Sequence, residues 1–149
     1  LTRKLWQANG AGLKQLQNIM LKDFAQVEGQ VSQALVTELS PYIKQMSALI
    51  PGLAQGLASD KQAVLLANAS CFLNVFGQIV MSWLWIRQAN VAENALTSTN
   101  LSTEDKAFYQ GKLQAAKYFV HWELPTIARD IRLLSELDDS CAAMQEAWF

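Results

Sequence analysis

From Gln62 to Ile86 this chain carries no charged residue, a run long enough to cross a bilayer as a helix. Such a run must be given to lipid or buried in protein. On a helical wheel Phe72, Val75, Phe76, Ile79, Val80, Trp83 and Ile86 share one broad face, with Leu73 and Leu84 at its shoulder. Ser70, Asn74, Gln78 and Ser82 recur at every fourth position on the other side, where lipid would leave their polar groups without partners. The run therefore reads as the central helix of a bundle and not as a membrane span. Met81 and Trp85 project among the polar stripe. Either flanking helices cover them, or they form an interface with something absent from the chain, because clustered exposed aromatics mark contact surfaces.

Helical spacing recurs along the whole chain and alternating β-branched runs are absent, so the fold class is all-α. Gly10 and Gly12 bracket an opening turn, and Leu13, Leu16, Met20, Phe24, Val27, Val31 and Leu35 form one seam to about Glu38, weakened at Gly29. Ser40-Pro41 has the form of an N-cap with proline at the first helical position. A second helix then carries Ile43, Met46, Ile50, Leu53 and Leu57, with a kink expected at Pro51. Ser59 and Gln62 have capping-box spacing and open a third helix that runs to about Leu96. After the polar turn TSTNLST, Ser102 and Asp105 cap a fourth helix carrying Phe108, Ala115, Phe119 and Trp122. It meets Pro125, where a kink is expected, and resumes through Ile127, Ile131, Leu134 and Leu137. Short turns between four helices predict an antiparallel up-down four-helix bundle with a short C-terminal helical tail, one domain over residues 1–149.

Composition narrows the function classes. With 51% hydrophobic and 17% charged residues the chain has an apolar surplus, which implies surface meant to be covered. A net charge of -1 and the lack of a basic run interleaved with aromatics argue against nucleic acid. Cys71 and Cys141 lie far apart with no CxxC pairing, which fits a reducing cytoplasm. The opening LTRKLWQANGAG has no initiating methionine and no signal-peptide layout, so the chain reads as a fragment of a longer polypeptide.

Chemistry is sparse. His121 is the sole histidine, which excludes the Glu-x-x-His pairs of helical di-iron sites, and its surroundings suggest an ordinary packed or surface residue. No glycine-rich phosphate loop is present, and Asp138-Asp139 reads as a solvated turn. No catalytic or metal-ligating residue is assigned. Arg87 falls among apolar residues on the wheel, a costly place for a charge unless it is paired or reaches water, with Glu123 or Asp130 as candidate partners. A phosphate contact is the alternative reading and makes Arg87 the weak candidate for cofactor binding.

Several stretches in order carry a family likeness: Phe76-Gly77, Trp83-Leu84-Trp85-Ile86-Arg87, Phe108-Tyr109-Gln110-Gly111-Lys112-Leu113, Ala115, Tyr118-Phe119, Leu124-Pro125 and Ala147-Trp148-Phe149. Together they resemble the C-terminal helical extension of an acyl-CoA dehydrogenase branch that includes enzymes resembling 3-methylmercaptopropionyl-CoA dehydrogenase. The likeness is most specific from Phe72 to Ala128 and weak from Gln26 to Asp60, and Phe72 stands where that family often has tyrosine. It implies a parent flavoenzyme that binds FAD and removes hydrogens from Cα and Cβ of an acyl-CoA thioester, with the catalytic base and most flavin contacts upstream of this extension. The chain itself would bind no FAD alone, would dock on the catalytic core of the same polypeptide, and would belong to a homo-oligomer. A different class of function remains open: a free-standing helical interaction protein that binds a hydrophobic surface or a partner helix.

Overall fold

The computed structural model describes residues 10–148, and every regular element among them is helical. In chain order these are α1 (Ala11–Ala25), α2 (Gln30–Leu57), α3 (Gln62–Ala67), α4 (Ala69–Leu96) and α5 (Thr103–Tyr118). A π-helical turn (Phe119–Glu123) and a 3-10 turn (Leu124–Ile127) lead into α6 (Ala128–Glu136), and a last 3-10 turn covers Glu146–Trp148. Gly10 opens α1 with φ 74°, a left-handed conformation that suits a residue without Cβ. The terminal Phe149 of the family likeness lies outside the described residues.

The uncharged run becomes most of α3 and α4, and α4 is the element around which the others pack: α2, α5, the π and 3-10 turns and α6 all lie against it. Phe72, Val75, Ile79, Trp83 and Ile86 are buried as the wheel predicts. Among the described residues α4 is also the one helix long and apolar enough to cross a membrane by length and composition. Ser82, placed by the wheel on the polar side, is fully buried. Its hydroxyl donates to the Gln78 carbonyl at 2.8 Å, so burial leaves it satisfied within its own helix.

Three predicted boundaries differ from the structure. The first seam does not run unbroken to Glu38, because α1 stops at Ala25 and the chain turns before α2 begins. The cause is tertiary: the Glu93 carboxylate of α4 accepts the Val31 and Ser32 N–H groups at 2.9 and 2.7 Å and the Ser32 hydroxyl at 2.5 Å. An acid thus satisfies orphan donors at the positive end of α2. A Cβ at Gly29 would run into that carboxylate, so the glycine is a requirement of the cap.

Ser40-Pro41 starts no helix; α2 passes through both Pro41 and Pro51. Ser40 donates back to the Val36 carbonyl at 2.7 Å instead of capping. Each internal proline costs about 3 kcal/mol. Burial of Leu35, Leu39, Met46, Leu49 and Leu53 on one seam returns roughly 2 kcal/mol per side chain, enough to carry the helix through. Helix α3 does begin at Gln62, but Ser59 donates to the Gly56 carbonyl and no side chain caps it. The third predicted helix is then divided at Asn68, a buried residue whose amide donates to the Asp138 carbonyl at 2.6 Å.

Where the signal is local, the expectation holds. Helix α4 ends at Leu96, and Ser102 caps α5 by accepting the Asp105 N–H at 3.0 Å. Pro125 lacks the N–H that would bond the His121 carbonyl, and α-helical bonding gives way there to the π and 3-10 turns.

Candidate functional site

Among the described residues, depressions lie on two sides of α4. The larger, about 570 Å³, is a cleft among α1, α4 and α5, with Phe24, Val27, Leu84 and Val91 as apolar lining and Arg87 and Lys112 as its cations. Arg87 is held neither by Glu123 nor by Asp130. Its Nε lies 3.3 Å from Asp23 Oδ2 of α1, and the same oxygen accepts the Trp83 indole N–H at 2.8 Å. The guanidinium lies over the Trp83 ring, 5.3 Å from its centroid. The expected partners are occupied elsewhere: Glu123 accepts the Tyr118 hydroxyl, and Asp130, 1% exposed, is held by Arg129 and by the Asn74 amide. A wheel of α4 cannot reveal a partner on α1.

Lys112 bridges the cleft wall. Its ammonium sits 5.6 Å from the Trp85 and Phe108 ring centroids and 3.1 Å from Gln88 Oε1. The cleft thus offers two cations above an apolar floor, and its one carboxylate, Asp23, is committed to Trp83 and Arg87. Arg87 and Lys112 suit a phosphate. The arrangement suits binding an anion with an apolar portion.

The smaller depression, about 480 Å³, lies on the outer face of α4 between Leu73, Gly77, Gln78, Met81 and Phe119. Here the two interface candidates part company. Met81 is 44% exposed and Leu73 55%, whereas Trp85 is half-buried, 6.3 Å from the Phe119 ring and beneath Lys112. Gln78 Oε1 is buried at this depression without a hydrogen-bond partner among the described residues.

The aromatic seam predicted for the fourth helix is out of phase. Ala116, Val120, Leu124, Ile127 and Leu134 form the buried side, while Phe108 and Trp122 face outward. Trp122 is 72% exposed and stacks on Tyr118 with ring centroids 6.3 Å apart at 15°. The hydrogen bond to Glu123 raises the Tyr118 phenol above its ordinary pKa. Period-3.6 spacing of Val120, Leu124, Ile127 and Leu134 was the signal available in the sequence; the large aromatic side chains masked it.

His121 is a half-exposed residue with Nε2 3.1 Å from Glu38 Oε1. Asp138 accepts the Ser140 N–H at 3.1 Å in a turn. Both cysteines are free thiols, and burial, then the nearby Asp130 charge, raises Cys71 above the ordinary thiol pKa. Among the described residues no group of three or more His, Cys, Asp or Glu could hold a metal ion.

The family described as acetyl-CoA dehydrogenase C-terminal like matches residues 14–145, nearly the whole chain. The chain belongs to this family. Among curated proteins it is similar to the broad-specificity linear acyl-CoA dehydrogenase of Mycobacterium tuberculosis, 25% identical over 122 residues. That match takes in 80% of this chain but 20% of the enzyme, so the acetyl-CoA dehydrogenase C-terminal-like chain spans about a fifth of the relative's length.

Proposed function

We propose that the chain is the accessory, noncatalytic C-terminal domain of an FAD-dependent acyl-CoA dehydrogenase, within the branch resembling 3-methylmercaptopropionyl-CoA dehydrogenase. The parent would carry out α,β-dehydrogenation of an acyl-CoA thioester in the cytoplasm, with FAD as its hydride acceptor. The carrying observation is the family match across residues 14–145. Packing of α4 between α2 and α5, joined by short turns, supports an antiparallel up-down bundle as the domain's architecture. The domain's role is docking, stability or subunit assembly, and the exposed Leu73 and Met81 beside the unpartnered Gln78 oxygen support a face of α4 that meets the catalytic core.

The test is direct. Purified alone, the chain is expected to show no flavin absorbance and no acyl-CoA oxidation with an artificial electron acceptor; turnover overturns the noncatalytic role. In the full-length enzyme Met81→Glu is expected to weaken domain docking, seen as a separate, lower melting transition.

Arg87 gives a narrower reading, a contact to a CoA or FAD phosphate, favoured by its place with Lys112 in the cleft. In the full-length enzyme Arg87→Ala would then raise KM or loosen flavin while Asp23→Asn, which weakens the same latch but keeps the cation, would not. The free-standing interaction protein is the alternative function. An open reading frame that starts with Met near Leu1 favours it, and continuous coding sequence upstream favours the domain reading.

A further inference from the structure

The cleft among α1, α4 and α5 carries more positive charge than its own residues answer. Three charged side chains line it, Asp23, Arg87 and Lys112. Asp23 pairs with Arg87, so those two charges cancel. Lys112 enters none of the ion pairs among the described residues. Its ammonium donates to the Gln88 amide oxygen and lies against the Trp85 and Phe108 rings, partners that orient a cation without neutralising it. One unit of positive charge is left over, and it is fixed at Lys112.

Beside that charge the lining is apolar. Leu84 and Val91 stand two turns apart along α4, about 10 Å of wall, with Phe24 and Val27 contributed by α1 and the turn after it. Val91 on α4 and Phe108 on α5, one turn before Lys112, are 63% and 58% exposed. Large apolar side chains left in water on two walls of one cleft are what an aliphatic ligand would cover. Its volume of about 570 Å³ lies in the range of small-molecule sites. A dianionic head would outweigh the single free charge and leave net negative charge against apolar walls, whereas a monoanion balances it.

We propose that the cleft binds a monoanionic amphiphile, an unbranched aliphatic tail with one anionic head, with the head on Lys112 and the tail along Val91, Val27 and Phe24. Arg87, engaged by Asp23, is a wall of this site and not its anchor, which sets the inference apart from a phosphate contact at Arg87. It goes beyond the proposed enzymatic context and survives its failure, because binding is read without flavin or thioester.

Amide chemical shifts of the isotope-labelled 149-residue protein, titrated with decanoate below its micelle concentration, test it. Saturable shifts are expected at Val91, Phe108 and Lys112. Decanol and decyltrimethylammonium, the same tail without the anion, should bind at least about tenfold more weakly. Each methylene removed from the tail should weaken binding about fourfold. Lys112→Met, shown folded by circular dichroism, should weaken decanoate at least about tenfold, and Lys112→Arg should restore most of the affinity. Dihexanoyl phosphatidylglycerol separates two sources of such a head: tighter binding than decanoate assigns a phospholipid, weaker binding a free carboxylic acid, and either supports the site. Inorganic pyrophosphate that binds as tightly as decanoate and shifts Arg87 instead of Lys112 overturns the proposal in favour of the phosphate contact. Shifts that never saturate, or a decanoate affinity indifferent to both Lys112→Met and tail length, overturn it outright.

Discussion

Two tryptophans, one on α4 and one on the π turn that follows α5, meet opposite fates. Trp83 on α4 is 8% exposed, and its indole N–H and the Arg87 cation above it both end on Asp23 of α1. Trp122, on the π turn after α5, is 72% exposed and stacks on Tyr118. The Trp83 indole and the Arg87 guanidinium of the first cluster share Asp23, so its energy goes into holding α1 on α4. The second cluster leaves its apolar area unspent, which is the condition for a surface that recognises something else.

The sharpest way to break this contrast is to truncate both rings. Trp83→Ala should cost about 3–5 kcal/mol in urea denaturation, because it opens a cavity and removes one of the two partners of Asp23. Trp122→Ala should change the protein's stability by less than about 0.5 kcal/mol, as surface substitutions do. Similar losses at both sites would show that Trp122 is structural.

Next in size is the cap that separates α1 from α2. Glu93→Ala removes the acceptor of the Val31 and Ser32 N–H groups and should cost about 1–2 kcal/mol, with hydrogen exchange rising first at those amides. Gly29→Ala should destabilise the same cap through collision with the carboxylate, and Gly52→Ala, with open space at its Cβ, serves as the control.

Thiol reactivity separates a covered position from an open one. Cys141 is exposed and should react with a thiol reagent at neutral pH well before Cys71, whose pKa is raised chiefly by burial. Comparable rates would mean that the α4 surface near Asp130 opens freely.

The smallest effect concerns Tyr118. Its folded-state pKa lies above the ordinary tyrosine value of 10.0 because the phenol donates to Glu123. The associated stability is present below the unfolded pKa and is lost as pH rises through the folded one. A spectrophotometric titration should show a phenol ionising above the ordinary tyrosine value, and Tyr118→Phe should remove that late step.

How much the sequence disclosed depended on the distance between partners. Ser102 and Asp105 sit three residues apart, and the cap they predict is present. The buried face of α4 followed equally well from spacing, as Val75, Ile79 and Ile86 show. The break before α2 was masked because its cause, Glu93, lies more than sixty residues away along the chain; Gly29 was the local trace, read there only as a weak helix former. Ser40-Pro41 misled for the converse reason. Its local capping signal was overruled by the seam from Leu35 to Leu53, whose burial outweighs the missing hydrogen bonds. The site behaved the same way: Arg87 was recognised as needing a partner, but the partner, Asp23, came from a helix no wheel of α4 contains.

By itself the sequence determined that this protein is helical and that one uncharged segment must be its centre. Periodicity, proline and charge act over a few residues, and a linear pattern records them. Only the tertiary structure decided which aromatic is spent inside and which is left outside. Val120 and Leu124, in the turns after α5, take the inward face and Trp122 is left outside, because which side of those turns is covered depends on elements distant in the chain that pack against them.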